Sequence, residues 1–288
     1  MNPAIGSIAA ISIDVRVDRD TVVPGRVWCA ERPRALIAIV HGLGEHSGRY
    51  SALASDLVRA RFTCVALDLP GHGETPGPRG DIPSWTKLRD HLVPAMFTAS
   101  RGLLDQPPEL PCVLLGHSMG GVIALDYALA NPKPLLALVI SAPALRTPMP
   151  PWWKLALANV ARAAAPASGF PNALDTDGLA RDPEVVRAYR TDPLVHDRIS
   201  PRTYFAFNEA AQRCRRDIRN LQVPTLMLQG MADRLVDPKG ALEAAGSAPH
   251  GMLRFVTLHD AYHEVFNDTG REAVIRDLVA WLDAVRVV

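Results

Sequence analysis

Cys112-Val-Leu-Leu-Gly-His-Ser-Met-Gly-Gly-Val-Ile-Ala-Leu125 is the stretch that decides the fold. An apolar run leads into Gly116-His117-Ser118-Met119-Gly120, a G-x-S-x-G motif, and apolar Val122, Leu125 and Leu129 follow at helical spacing. Strand, sharp turn and helix are therefore expected in that order. Glycines at 116, 120 and 121 permit a strained strand-to-helix turn and close helix packing, which lifts the Ser118 hydroxyl above the sheet edge. In a chain of this composition the motif arises by chance about 0.06 times, so its surroundings have to decide.

Those surroundings alternate. Before the motif, Ala35 to Val40 and Phe62 to Leu67 are continuously apolar, as strands buried on both faces of a parallel sheet must be. Helical patterns lie around Arg49 to Ala60 and Ser84 to Leu104, and after the motif comes a strand at Leu135 to Ile140. Ile11 to Val17 and Val22 to Ala30 read as an antiparallel opening. The fold class is α/β, a mostly parallel central sheet with helices on both faces. After Ser141-Ala142-Pro143 the rhythm breaks for about eighty residues rich in Pro, Ala and Arg, with helical stretches and no clear strand. It resumes at Pro224 to Gln229, then a helix from Pro238, a strand Met252 to Leu258 and a last helix from Arg271 to Val285. Core segments 1–145 and 221–288, with a helical insertion at 146–220, are the expected organisation.

Composition narrows the function classes. The 288 residues are 48% hydrophobic and 21% charged with a formal charge of +1, so neither nucleic acid nor an anionic membrane is expected as a principal partner. Cys29, Cys64, Cys112 and Cys214 are scattered, which reads as free thiols rather than a metal or disulfide framework. The nine histidines are spread over the chain, so no metal and no cofactor is expected. The first residues lack the charged start of a secretory signal and no run is long enough to span a membrane. A cytoplasmic enzyme is the expectation.

A serine hydroxyl is a weak nucleophile, so a base and an orienting acid must follow in the order Ser, Asp or Glu, His. The strand ending at Gly230 runs into Met231-Ala-Asp-Arg-Leu-Val-Asp-Pro238, and the next strand into His259-Asp-Ala-Tyr-His-Glu264. Asp237, just before Pro238, has the pattern of a helix N-cap. Asp233, nearer the strand end, is therefore the expected acid. His263, on the loop proper, is the expected base ahead of His259. The oxyanion hole needs the amide after the nucleophile, Met119, and one from the loop after the third strand, Leu43 in Val40-His-Gly-Leu-Gly44. His41 precedes the nucleophile and reads as a loop-ordering residue.

Taken together, His41-Gly-Leu-Gly-Glu-His-Ser-Gly-Arg-Tyr50, Asp68-Leu-Pro-Gly-His-Gly73, Gly116 to Gly121, Ala232-Asp233 with Val236-Asp237-Pro238, and Tyr262-His263-Glu264 resemble the monoacylglycerol lipase and lysophospholipase-like branch of the α/β hydrolases, of the serine aminopeptidase S33 type. The resemblance implies a triad of Ser118, Asp233 and His263, and an insertion that caps an apolar acyl pocket. It sets Glu45 and Arg49 by the polar head group, where both could equally brace their loop. Animal members carry a second histidine near the glycerol group where this chain has Phe266, so the resemblance implies that Phe266 contacts the substrate there.

The insertion opens with Pro148-Met-Pro-Pro-Trp-Trp153, followed by Leu157 and Val160 on one helix face. That stripe has two readings, a lipid-entry surface in which Trp152 and Trp153 meet substrate or briefly touch a membrane, or a helix packed on its own cap. Asp68 and His72 read as loop braces. The expected reaction is hydrolysis of a small-molecule carboxylic ester, a monoacylglycerol or lysophospholipid. A short-chain carboxylesterase or thioesterase is the alternative within enzymes, and a catalytically silent hydrolase-fold binding protein the alternative outside them.

Overall fold

A computed structural model describes residues 8–19, 21–104, 110–130, 135–148 and 151–285. Met149 and Pro150, at the opening of the expected insertion, lie outside them, as do the first seven residues read for a leader.

Ten strands are described: β1 (Ile11–Arg16), β2 (Val22–Trp28), β3 (Ala35–Val40), β4 (Phe62–Leu67), β5 (Cys112–His117), β6 (Ala137–Ser141), β7 (Phe170–Pro171), β8 (Arg198–Ile199), β9 (Thr225–Gly230) and β10 (Leu253–Leu258). The helices are α1 (Ser51–Arg59), α2 (Trp85–Lys87), α3 (Val93–Leu104), α4 (Met119–Ala130), α5 (Trp152–Ala164), α6 (Pro183–Thr191), α7 (Pro201–Asp217), α8 (Pro238–Ser247) and α9 (Arg271–Val285). A π-helical turn, Leu88–Leu92, joins α2 to α3.

The main sheet runs β1-β2-β4-β3-β5-β6-β9-β10. β1 and β2 are antiparallel, β2 meets β4 antiparallel, and every later pairing is parallel. Each residue of β3, β4, β5, β6 and β9 is buried, which is why these strands show no polar alternation in sequence. One core lies on each face. Leu36, Leu114, Ile123 and Met227 belong to the first, and Ile37, Leu115, Leu228 and Leu278 to the second. Odd and even residues of a strand go to opposite faces, as the period of two demands.

α4 is enclosed on all sides: Met119 through Ala128 are all buried, and its one charged residue, Asp126, pairs with Arg89 and Arg213. Its outer cover is α7, whose Phe207, Ala210, Ala211 and Cys214 form a buried stripe at helical spacing. Ser200 caps α7 by accepting from the Thr203 amide, and Pro201 opens it. The segment between β6 and β9 thus contributes a helix to the core's outer layer as well as the elements that lie over the sheet's carboxyl end. It also holds one short antiparallel ladder, β7 with β8, which its composition had not suggested. Among the described residues no helix is long and apolar enough to cross a membrane.

Candidate active site

Ser118 sits at the carboxyl end of β5 with φ 54°, a left-handed conformation that an L-residue enters only when its surroundings enforce it. The enforcement is visible. The Ser118 amide donates to the Ser141 carbonyl (3.0 Å), and its own carbonyl accepts from the amides of Gly121 (3.0 Å) and Ala144 (3.2 Å). Gly120 is required just behind it, because a Cβ there would lie 2.1 Å from the Val40 carbonyl oxygen. α4 can therefore begin directly against the end of β3.

The loops after β9 and β10 bring the acid and the base together. Asp233 Oδ1 accepts from the amides of Leu235 (2.8 Å) and Val236 (3.1 Å), while Oδ2 accepts from His263 Nδ1 (2.8 Å) and Gln229 Nε2 (3.2 Å). With Nδ1 donating to a carboxylate, the neutral imidazole carries its lone pair on Nε2. Burial pushes the His263 imidazole down, but Asp233, by charge and hydrogen bond, with Glu264 and Glu45 adding, outweighs it and raises the group above its ordinary value. Burial would raise the Asp233 carboxyl; His263 and the Val236 and Leu235 amides hold it below the usual range. Asp237 caps α8 through the Lys239 amide, and His259 is exposed.

Ser118, Met119, Leu43 and His263 line one pocket with Ala144, Leu174, Leu179, Phe207, Leu235 and Val236. Met119 opens α4, where the first amides have no partner within the helix. The Leu43 amide belongs to the same peptide as the Gly42 carbonyl, which accepts from His41 Nδ1 (2.8 Å). In a trans peptide N–H and C=O point oppositely, so His41 aims the Leu43 amide. His41 Nε2 in turn accepts from the Leu69 amide (2.9 Å), and Asp68 holds its loop by accepting from the amides of Ser47 and Glu74.

A buried ion cluster forms the pocket's polar end. Arg49 Nη1 donates to Glu45 Oε2 (2.7 Å) and Glu264 Oε1 (2.7 Å), and Nη2 to Glu264 Oε2 (2.8 Å). Glu45 Oε1 also accepts from the Gly42 amide (2.6 Å) and the Tyr50 hydroxyl (2.7 Å). Burial alone would raise the Glu45 carboxyl, yet Arg49, His117, His41 and the Gly42 amide bring it down to about 2. The His117 ring lies 4.7 Å from that of His263, and burial, then the charge of His263, lowers it to about 4.

Residues 189–196 clasp the loop after β3. The Tyr189 ring lies 4.6 Å from the Arg49 guanidinium, the His196 amide donates to the Gly44 carbonyl (2.9 Å), and His46 Nε2 donates to Asp192 Oδ2 (2.8 Å). Gly44 takes φ 80° at this close approach.

Three expected substrate contacts are corrected. Trp152 and Trp153 do not line the pocket; they are 80% and 52% exposed on α5, a helix with no buried residue. The stripe is accordingly not packed on its own cap either, since Leu157 and Val160 are exposed beside them. Phe266 is buried in the second core and borders a smaller space behind Glu264, not the pocket of Ser118. Glu45 and Arg49 do line the pocket and also brace their loop. Glu264, Tyr189 and Phe207, which the sequence alone did not single out, line it too. For Glu264 the one available signal was an acid directly after the candidate base.

Comparison with known proteins agrees with this architecture. The family model described as serine aminopeptidase, S33 matches residues 31–270. The monoacylglycerol lipase of Mycolicibacterium smegmatis is 31% identical over 263 residues, covering 89% of this chain and 91% of that one. Phospholipase YtpA of Bacillus subtilis is 30% identical, covering 89% and 98%. The crystal structure of Paleococcus ferrophilus monoacylglycerol lipase superposes with a TM-score of 0.81 at 32% identity, covering 91% of this chain and 99% of that one. The chain belongs to the serine aminopeptidase S33 family, among its monoacylglycerol lipase-like α/β-hydrolases.

Proposed function

We propose that the protein is a carboxylic ester hydrolase acting on lipid-like esters, monoacylglycerols foremost, through an acyl-enzyme on Ser118. The observation that carries this reading is the Asp233-bonded His263 lining one largely apolar pocket with Ser118 on its strained turn. His263 Nε2 takes the Ser118 proton as Oγ attacks the ester carbonyl, and Asp233 orients and stabilises the imidazolium. The Leu43 and Met119 amides receive the oxyanion. The imidazolium then protonates the departing alcohol, and water repeats the attack on the acyl-serine.

The polar end favours a neutral alcohol. Arg49 already serves two carboxylates, so Glu45, Arg49 and Glu264 together carry one negative charge in excess. A phosphate arriving there meets that excess, whereas glycerol hydroxyls can donate to it. Monoacylglycerol is favoured over lysophospholipid on this ground. The exposed Trp152, Trp153, Leu157 and Val160 on α5 form the surface we assign to transient contact with a lipid interface. The four cysteines are free thiols, in keeping with a reducing cytoplasm.

The test is turnover of monoacylglycerol, lysophosphatidate and p-nitrophenyl esters of two to sixteen carbons, beside fluorophosphonate labelling. Labelling and turnover should vanish in Ser118→Ala, and monoacylglycerol should exceed lysophosphatidate of equal acyl length at least tenfold. Equal turnover by wild type and Ser118→Ala refutes the mechanism, and a sharp optimum at short chains without glyceride turnover refutes the substrate.

A further inference from the structure

The esterase reading gives the buried carboxylate next to the base a part in choosing the alcohol, but none in the chemistry of Ser118, Asp233 and His263. Glu264 is 4% exposed, and it spends its oxygens on Arg49 Nη1 and Nη2 and on Asn267 Nδ2 (2.9 Å). Its amide donates to the Leu179 carbonyl (2.8 Å), so both its backbone and its side chain are fixed. From Glu264 the chain of contacts is continuous. Arg49 joins it to Glu45, and Glu45 holds the Gly42 amide at the start of the oxyanion loop. The peptide on the other side of Gly42 is held by His41. Base loop and oxyanion loop are thus joined by charge-assisted hydrogen bonds that run beside the triad.

We propose that Glu264 is a positioning residue for the Ser118 reaction: through Arg49 and Glu45 it ties the loop bearing His263 to the loop bearing the Leu43 amide, and it leaves one carboxylate in excess beside the imidazole. This rests on the esterase reading and deepens it. Proton transfer from Ser118 makes His263 cationic, and a fixed negative charge in a water-poor site stabilises that cation without reorganising. Glu264 does so without competing for Nδ1, which belongs to Asp233, because Arg49 holds its carboxylate in place.

Among the described residues, the ionisable groups that touch His263 or share its pocket come from every element around it. They are Asp233 from the loop after β9, Glu45 and Arg49 from the loop after β3, His117 at the end of β5, Tyr189 on α6, and Glu264 itself. Of these, Asp233, Glu264 and Glu45 all favour the protonated imidazole. Removing either glutamate charge should therefore make His263 a weaker base.

The experiment is the pH dependence of kcat/KM for p-nitrophenyl butyrate, a substrate without a polar head group, in wild type, Ser118→Ala and Glu264→Gln, with thermal melting alongside. Glu264→Gln is isosteric and should lower the plateau about threefold to tenfold. It should also move the acid limb down by about half a pH unit. A contribution to packing alone lowers the plateau and leaves the limb in place, so an unmoved limb in a folded Glu264→Gln overturns the proposal. Should that variant fail to fold, Glu45→Gln neutralises the same cluster and must move the limb in the same direction. Equal turnover by wild type and Ser118→Ala refutes the esterase reading instead, which separates the two failures.

Discussion

Ser118 holds φ 54°, and the cost of that conformation can be measured by taking its Cβ away. Ser118→Gly and Ser118→Ala both lack the hydroxyl and both should be inactive, so the pair isolates the backbone. A left-handed conformation costs an L-residue about 1 to 2 kcal/mol. Glycine escapes that cost but gains freedom in the unfolded chain worth about 0.5 to 1 kcal/mol in the opposite direction. Ser118 is only half-buried, so removing the methyl group forfeits little packing. Ser118→Gly should therefore be more stable than Ser118→Ala by about 0.75 kcal/mol at the middle of both ranges and by at most about 1.5 kcal/mol. With an unfolding entropy of about 2.1 cal/mol/K per residue, a chain of 288 residues converts this into a Tm difference of about 1 °C at the middle of the range and about 2.5 °C at its top. Scanning calorimetry on the two purified variants, in the same buffer and at the same scan rate, resolves a difference of that size. If Ser118→Ala melts above Ser118→Gly, the turn is not strained and Ser118 is not presented by a strained turn.

Two further outcomes follow from the same site. Gly120→Ala would set a Cβ 2.1 Å from the Val40 carbonyl oxygen and 2.5 Å from that of His41; the resulting shift of α4 should cost about 1 to 3 kcal/mol by urea unfolding and about a hundredfold in kcat, and a variant with wild-type values in both would contradict the close contact. The raised His263 imidazole must be neutral to accept the Ser118 proton, so kcat/KM should fall as pH drops through a value above the ordinary 6.5; an acid limb below pH 6 would show that Asp233 does not outweigh burial.

The fold was legible because parallel strands buried on both faces leave long apolar runs, and β3, β4, β5, β6 and β9 each left one. β7 was not, since two residues, one of them proline, have no periodicity to read. Asp233 and His263 could be proposed from sequence because each stands just beyond the end of a strand, a position the chain order exposes. The Arg49 to Glu264 pair spans 215 residues, and nothing in either local segment announces the other. The stripe on α5 shows a different limit. Spacing reveals that Trp153, Leu157 and Val160 share a face, but whether that face is covered depends on what the rest of the chain brings to it, and here nothing among the described residues does. Phe266 illustrates the same point in reverse: three residues beyond the base it turns into the core rather than toward the pocket.

The grip of residues 189–196 on the loop after β3 bears on how such enzymes can be recombined. His46 with Asp192, Gly44 with His196 and Arg49 with Tyr189 are pairs in which one member comes from the segment over the pocket and the other from the stretch that presents the Leu43 amide. The two stretches are a single mechanical unit, though far apart in the chain. A chimaera that grafts the upper segment from a relative onto this scaffold would bring foreign partners to Gly44, His46 and Arg49 and disturb the amide below. Exchanging residues 41–50 together with it would keep each pair matched, so the grafting boundary that preserves turnover runs through two places in the sequence rather than one.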